Sequence, residues 1–129
     1  MILKDCYDMF GGNYESVTQR ISRDEMIEKF VLKFLSEPSY DVLCRTLEDG
    51  DYAEAFRAVH SLKGVCHNLG FVRLEYSTGI LTELLRNSSE KRINKEQCKQ
   101  ALQQVSADYK EVIDAVRRYV VENGMAYEE

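Results

Sequence analysis

One run of apolar residues, from Cys98 to Tyr119, constrains the fold of this chain more than any other feature. Its members recur at alternating steps of four and three residues, the spacing that places side chains on one face of an α-helix. They are Cys98, Leu102, Val105, Tyr109, Val112, Val116 and Tyr119. Asn94 and Gln97 have the spacing of a capping box, and Gly124 suits the end of a helix. The pattern predicts one long amphipathic helix that starts near Asn94 and ends before Gly124.

Two further helix starts carry the same capping signal. Ser22 with Glu25 predicts the start of a helix whose apolar face comprises Met26, Phe30, Val31, Phe34 and Leu35. Asp51 with Glu54 predicts another helix, which ends at Gly70. The core stripe of this second helix, again at steps of four and three, comprises Ala55, Val59, Leu62, Cys66 and Leu69.

Shorter helical segments fill the rest of the chain. We expect helices at residues 40–47 and 72–86, and two short pieces around Gly11-Gly12 in the first 20 residues. One Pro and seven Gly in 129 residues are too few turn-formers for a sandwich or barrel, and no strand-like alternation occurs. The sequence therefore predicts an all-α, antiparallel helical bundle, with residues 1–129 forming a single domain.

Charge and hydropathy argue against two classes of partner. The 17 Lys and Arg residues against 22 Asp and Glu residues give a net charge of −5, whereas nucleic-acid binding needs a strongly basic surface. No apolar run approaches 18 residues, and acids interrupt the N-terminal segment. We therefore expect a soluble, cytoplasmic protein that binds neither nucleic acid nor membrane. Its four Cys residues, which form no CxxC pair, are interpreted as reduced and mostly core thiols.

The helix predicted over residues 51–69 carries an unusual pair on its polar side. At about 100° per residue, His60 lies about 140° and Gly64 about 180° from Ala55 in the core stripe. A glycine in the middle of a helix costs about 1 kcal/mol relative to alanine. Ala53 and Phe56 make the same side partly apolar. A glycine beside an exposed histidine predicts that the backbone of another molecule comes close at this point.

The segment HSLKGVCHNLGF, residues 60–71, resembles the signature of the histidine-containing phosphotransfer (Hpt) domain. That signature is His-x-x-Lys-Gly, followed by a run of small and apolar residues that closes with Leu-Gly. The order of the predicted helices is similar from about residue 22 to 86, and the C-terminal helix fits the family's bundle. The resemblance implies a four-helix Hpt-type core over about residues 22–123, preceded by short N-terminal helices.

The resemblance also implies a phosphocarrier without independent catalytic activity, a phosphoprotein of two-component signalling. His60 would accept a phosphoryl group from an aspartyl phosphate and pass it to another aspartate, because a neutral imidazole has a free nitrogen lone pair. Lys63 would offset the phosphoryl charge, and Gly64 would keep the approach open for the partner. Thr82 stands where several family members have a glutamine that orients the histidine. The other residues predicted to bind the partner are Phe56, Arg57 and His67.

The partners that the resemblance implies are receiver domains of response regulators and a hybrid histidine kinase. We expect a monomer that holds no cofactor or metal, the Mg²⁺ being bound in the acidic pocket of the receiver. One alternative is a non-phosphorylated helical-bundle module that sequesters a receiver through the same face, although an intact His60 argues against it. A second alternative is an enzyme or metal protein built in the bundle core, which would need a Glu three residues before a His. Neither His60 nor His67 has one. The two histidines also cannot bind one metal ion together, because about 10.5 Å along the helix separates them.

Overall fold

Seven α-helices and no strand make up the regular structure of residues 1–125, the part of the chain that the computed structural model describes. They are α1 (Leu3–Met9), α2 (Tyr14–Arg20), α3 (Asp24–Lys33), α4 (Ser39–Glu48), α5 (Tyr52–Leu69), α6 (Val72–Leu85) and α7 (Lys95–Glu122). A short 3-10 turn, Phe34–Ser36, follows α3. The all-α bundle predicted from the sequence is confirmed, including the two short helices on either side of Gly11-Gly12.

The capping residues fix the limits of the two longest helices. The Asn94 side chain accepts a hydrogen bond of 3.0 Å from the backbone N–H of Gln97 at the start of α7. At the start of α5, the Asp51 side chain accepts one of 3.2 Å from the N–H of Glu54. Gly70 ends α5 in the left-handed conformation, with φ of 68°, which suits glycine because it lacks a Cβ. Both helices therefore begin and end within a residue or two of the predicted positions.

The start of α3 differs from the prediction. Ser22 lies outside the helix, which begins at Asp24 after Arg23, and no side chain caps it. Its buried residues are Ile27 and Val31, and Phe34 of the following 3-10 turn continues the buried face, whereas the predicted core residue Phe30 is 37% exposed. The reason is that apolar residues lie on several sides of this segment, so periodicity alone does not select the face that packs inward.

Helix α5 packs between α4 and α6, and α7 closes the bundle against α6 and α4. The α4–α7 contact includes parallel stacking of Tyr40 on Tyr109, with ring centroids 3.9 Å apart. All five residues of the predicted α5 core stripe are buried: Ala55, Val59, Leu62, Cys66 and Leu69. The opposite side of α5, which carries His60, therefore faces solvent.

The N-terminal helices pack on the bundle where α5 ends and α6 begins. Tyr7 and Phe10 of α1 contact Phe71, with ring centroids 5.7 and 5.1 Å apart, and Phe34 contacts Phe71 at 5.0 Å. All four aromatic side chains are almost fully buried. This cluster attaches the first 35 residues to the bundle through a substantial apolar contact.

The same N-terminal segment donates hydrogen bonds to the last carbonyls of α5. The Tyr7 hydroxyl donates to the carbonyl oxygen of Leu69 at 2.7 Å, in a buried position. The Arg20 guanidinium donates to the carbonyls of His67 and Asn68 at 2.8 and 3.2 Å. Since the last carbonyls of a helix have no partner within it, α1 and α2 supply donors that α5 lacks.

Candidate functional site

His60 and Gly64 lie one turn apart on the solvent-facing side of α5. Both residues are exposed, whereas Val59 and Leu62 on the other side are fully buried. A Cβ built onto Gly64 would have no heavy atom of another element within 4 Å among the described residues. Packing within the bundle therefore does not explain why position 64 is a glycine, and the surface there is open to a second molecule.

The imidazole of His60 stacks on the ring of Phe56, one turn earlier on α5. Their ring centroids are 5.7 Å apart and their planes differ by 7°. The Arg86 guanidinium carbon lies 5.3 Å from the centroid of the same phenyl ring. Arg86 in turn donates from Nε to Glu83 Oε2 at 2.6 Å. These residues form a continuous row from the end of α6 to the exposed side of α5, and nothing in the sequence pattern pointed to Arg86 or Glu83.

Lys63 lies between α5 and α6 with its aliphatic stem on Gly79. A Cβ at Gly79 would be 3.6 Å from Lys63 Cε, so the glycine lets the stem lie flat against α6. Among the residues that the structure describes, no carboxylate lies within 4.0 Å of the Lys63 ammonium. The pKa of Glu83 is lowered by its hydrogen bond to Arg86 and, as a smaller cause, by the charge of Lys63. The side chain of Lys63 therefore lies against α6, and its ammonium has no close counter-ion in the described part of the chain.

The other two polar residues predicted on this face each contact a carboxylate of their own chain. Arg57 Nε donates to Glu54 Oε1 at 3.0 Å, and this contact lowers the pKa of Glu54. His67 Nδ1 lies 2.9 Å from Glu75 Oε2, which links α5 to α6. An exposed ion pair such as Arg57–Glu54 contributes little stability, so Arg57 can exchange its partner at small cost.

Thr82 does not take over the role of the family's orienting glutamine. Its side chain is fully buried, and its hydroxyl donates to the carbonyl oxygen of Thr78 at 2.7 Å, four residues earlier on α6. The imidazole of His60, by contrast, is on the exposed side of α5. The hydroxyl proton of Thr82 is therefore used within its own helix.

The cysteine thiols are not part of the exposed site around His60. Cys66 is on the buried stripe of α5, and burial is the main cause that raises the pKa of its thiol far above the ordinary value. Cys6 and Cys98 are also buried, Cys44 is half-buried, and all four are free. The prediction of free, mostly core thiols is confirmed. Within residues 1–125 no group of three or more His, Cys, Asp or Glu side chains is arranged to hold a metal ion.

A family model identifies the class of protein to which this fold and site belong. The model of the Hpt domain matches residues 33–118, two thirds of the chain, and includes α4 to α6 and most of α7. The chain therefore belongs to the Hpt domain family, whose members are phosphocarriers in phosphorelay signalling and interact with receiver domains and histidine kinases. No curated protein and no solved structure matches the chain. No helix within residues 1–125 is long and apolar enough to cross a membrane.

Proposed function

We propose that this chain accepts a phosphoryl group on His60 from the aspartyl phosphate of one receiver domain and passes it to the aspartate of another. The observation that carries the proposal is the coincidence of three features on α5 of an Hpt domain. His60 is exposed, Lys63 has an ammonium without a close carboxylate in the described chain, and Gly64 leaves the surface between them and a partner open.

In the accepting step, a ring nitrogen of neutral His60 attacks the phosphorus with its lone pair. The N–P bond forms as the P–O bond to the aspartyl carboxylate breaks, and the carboxylate leaves with that electron pair. The other ring nitrogen keeps its proton, and the reverse sequence returns the phosphoryl group to an aspartate. Lys63, three residues along the helix from His60, offsets the negative charge on the transferring oxygens. The Mg²⁺ for the transfer is held by the receiver, and this chain contributes no cofactor.

A mostly apolar groove, which begins one residue after Gly64 along α5, supports docking of a receiver on this face. His60, Gly64 and Asn68 follow each other at steps of four residues along α5. Asn68 lines a groove of about 430 Å³ between α5 and α3, together with Val65 and the partly exposed Phe30. We propose that the receiver covers Gly64 and places an apolar surface in this groove, which brings its aspartate to His60.

The test is incubation of the chain with a phosphorylated receiver domain and Mg²⁺. We expect acid-labile, base-stable phosphate on the wild-type chain and on His67→Gln, the matched histidine control, and none on His60→Gln. Circular dichroism should show an intact fold for His60→Gln, because the side chain is exposed. Phosphate on His60→Gln would show that another residue is the acceptor. A receiver that binds the wild-type chain without transferring phosphate would favour the sequestering module instead.

A further inference from the structure

The contact with Phe56 restricts the orientation of the exposed His60 side chain. Two residues four positions apart on a helix are neighbours on its surface. A centroid distance of 5.7 Å with planes 7° apart lies within the range of offset-stacked ring pairs, which is about 4.5–7 Å. At this separation the two parallel rings overlap at their edges, and turning the plane of the imidazole would break this contact. The neighbour thus selects one orientation of the His60 ring.

Phe56 is itself held in place by α6 and by the core. Its side chain is half-buried and packs against the buried cluster of the bundle. The guanidinium of Arg86 lies over its ring at 5.3 Å, and Arg86 Nε donates hydrogen bonds of 2.6 and 3.2 Å to the Glu83 carboxylate. Because this ion pair is exposed, it supports the ring less than the packing against the bundle does. A cation over an aromatic face adds an electrostatic attraction to the packing. Phe56 is therefore a more rigid support than an exposed side chain would be.

We infer that Phe56 is the positioning residue for His60 in phosphoryl transfer, with its own ring supported by packing against the bundle and by the Arg86 guanidinium. The inference rests on the proposed phosphocarrier function and assigns to Phe56 the orienting role that Thr82 does not perform. Transfer requires the ring nitrogen, the phosphorus and the leaving oxygen to lie nearly in line, so an imidazole with a fixed plane reaches this arrangement more often. The stack acts in the transfer step and not in docking.

The test compares Phe56→Leu with the wild-type chain in two measurements, the affinity for a phosphorylated receiver and the first-order rate of transfer within the complex. We expect an unchanged Kd and a transfer rate lower by about three- to tenfold, the range that corresponds to the loss of one aromatic pair. Phe56→Tyr, which keeps the ring, should restore the rate. Tyr52→Leu is the matched control, because Tyr52 is a half-buried aromatic residue one turn earlier on α5.

Proton NMR of the free chain reports on the stack without any partner. The ring protons of His60 should shift when the ring current of Phe56 is removed in Phe56→Leu, and should stay unchanged in Tyr52→Leu. Unchanged shifts and an unchanged transfer rate in Phe56→Leu would overturn the inference. So would a weaker Kd with a wild-type rate inside the complex, since Phe56 would then be a docking contact. Absence of phosphate on the wild-type chain would instead overturn the proposed function, and is seen before any Phe56 variant is compared.

Discussion

The residues around His60 differ in whether they already contact a carboxylate of their own chain. The guanidinium of Arg57 and the imidazole of His67 each contact a carboxylate, of Glu54 and Glu75. Lys63 has no carboxylate within 4.0 Å in the described part of the chain, and the space outside Gly64 is open. At the scale of single residues, Lys63 and Gly64 are therefore the positions at which substitutions test the proposed function most directly.

Lys63→Ala should slow phosphoryl transfer to His60 while docking of the receiver stays nearly intact. The variant removes a positive charge that offsets the negative charge on the transferring oxygens, and hydrogen bonds to charged groups contribute about 1.5–3 kcal/mol, or roughly 12- to 160-fold in rate. Lys63→Arg should restore only part of the rate, since a planar guanidinium differs in shape from a compact ammonium. Binding by calorimetry and single-turnover transfer separate the two effects. Weaker binding with an unchanged transfer rate within the complex would show that Lys63 is a docking residue.

Two substitutions at Gly64 distinguish its effect on the stability of the helix from its effect on the approach of the receiver. Gly64→Ala should raise the free energy of unfolding by about 1 kcal/mol, because alanine favours a helix and no atom lies in the way. Gly64→Gln should keep most of this gain but weaken receiver binding more than tenfold, because its side chain occupies the surface that the partner approaches. Urea denaturation and binding titrations measure the two quantities. Wild-type binding by Gly64→Gln would mean that the receiver docks elsewhere.

At the scale of elements, α5 is secured at both ends. Asp51 caps its N-terminus, and Gly70 turns the chain directly into α6. The carbonyls of its last turn receive hydrogen bonds from α1 and α2, through Tyr7 and Arg20. These contacts offset the destabilising glycine in the middle of the helix. The N-terminal helices thus support the helix of the candidate site from the end farther from His60.

Tyr7→Phe should lower the free energy of unfolding by about 1–3 kcal/mol, because the buried carbonyl of Leu69 loses its donor. Tyr14→Phe is the matched control, since the Tyr14 hydroxyl bonds Asp24 at the surface. We expect its loss to be smaller. Urea denaturation gives both values, and single-turnover transfer to His60 should keep its wild-type rate in each variant. Equal losses in the two variants would mean that the hydrogen bond from Tyr7 to Leu69 is not a special support for α5.

At the scale of the whole molecule, the sequence predicted the features that depend on residues close together in the chain, namely helix limits and a contiguous motif. The limits of α5 and α7 follow from capping residues and an unbroken apolar stripe, and the motif at residues 60–64 is contiguous. The buried face of α3 could not be predicted in this way, because apolar residues lie on several sides of the helix and tertiary packing decides which side is buried. The contact of Arg86 with Phe56 joins residues 30 positions apart, so no spacing rule reveals it. The same holds for the donors that α1 and α2 supply to α5.

Buried cysteine thiols and tyrosine hydroxyls make the whole bundle less stable at alkaline pH. Burial raises the pKa of Cys6 from 9.0 to about 12 and that of Tyr109 from 10.0 to about 12, and it also raises the pKa values of Cys66 and Tyr7. Above about pH 9 the unfolded chain therefore binds fewer protons than the folded chain, so the free energy of unfolding falls as pH rises from about 9 toward 12. Below about pH 9 these groups contribute their full stability.

Urea denaturation at a series of pH values from about 8 to 11 checks this slope. Cys6→Ala removes one of the titrating groups and should reduce the decline between about pH 9 and 11. A free energy of unfolding that stays constant over this range would contradict the assignment of protonated, buried thiols and phenols.

The central claim is that His60 carries the phosphoryl group in transit, and a chase experiment tests it most directly. The chain is labelled with radioactive phosphate from one receiver, purified, and mixed with an unphosphorylated second receiver and Mg²⁺. We predict that the label leaves His60 and appears on the second receiver in equal amount, faster than it is released as inorganic phosphate. Label that stays on the chain, or that is released as inorganic phosphate without passing through the receiver, would contradict the account.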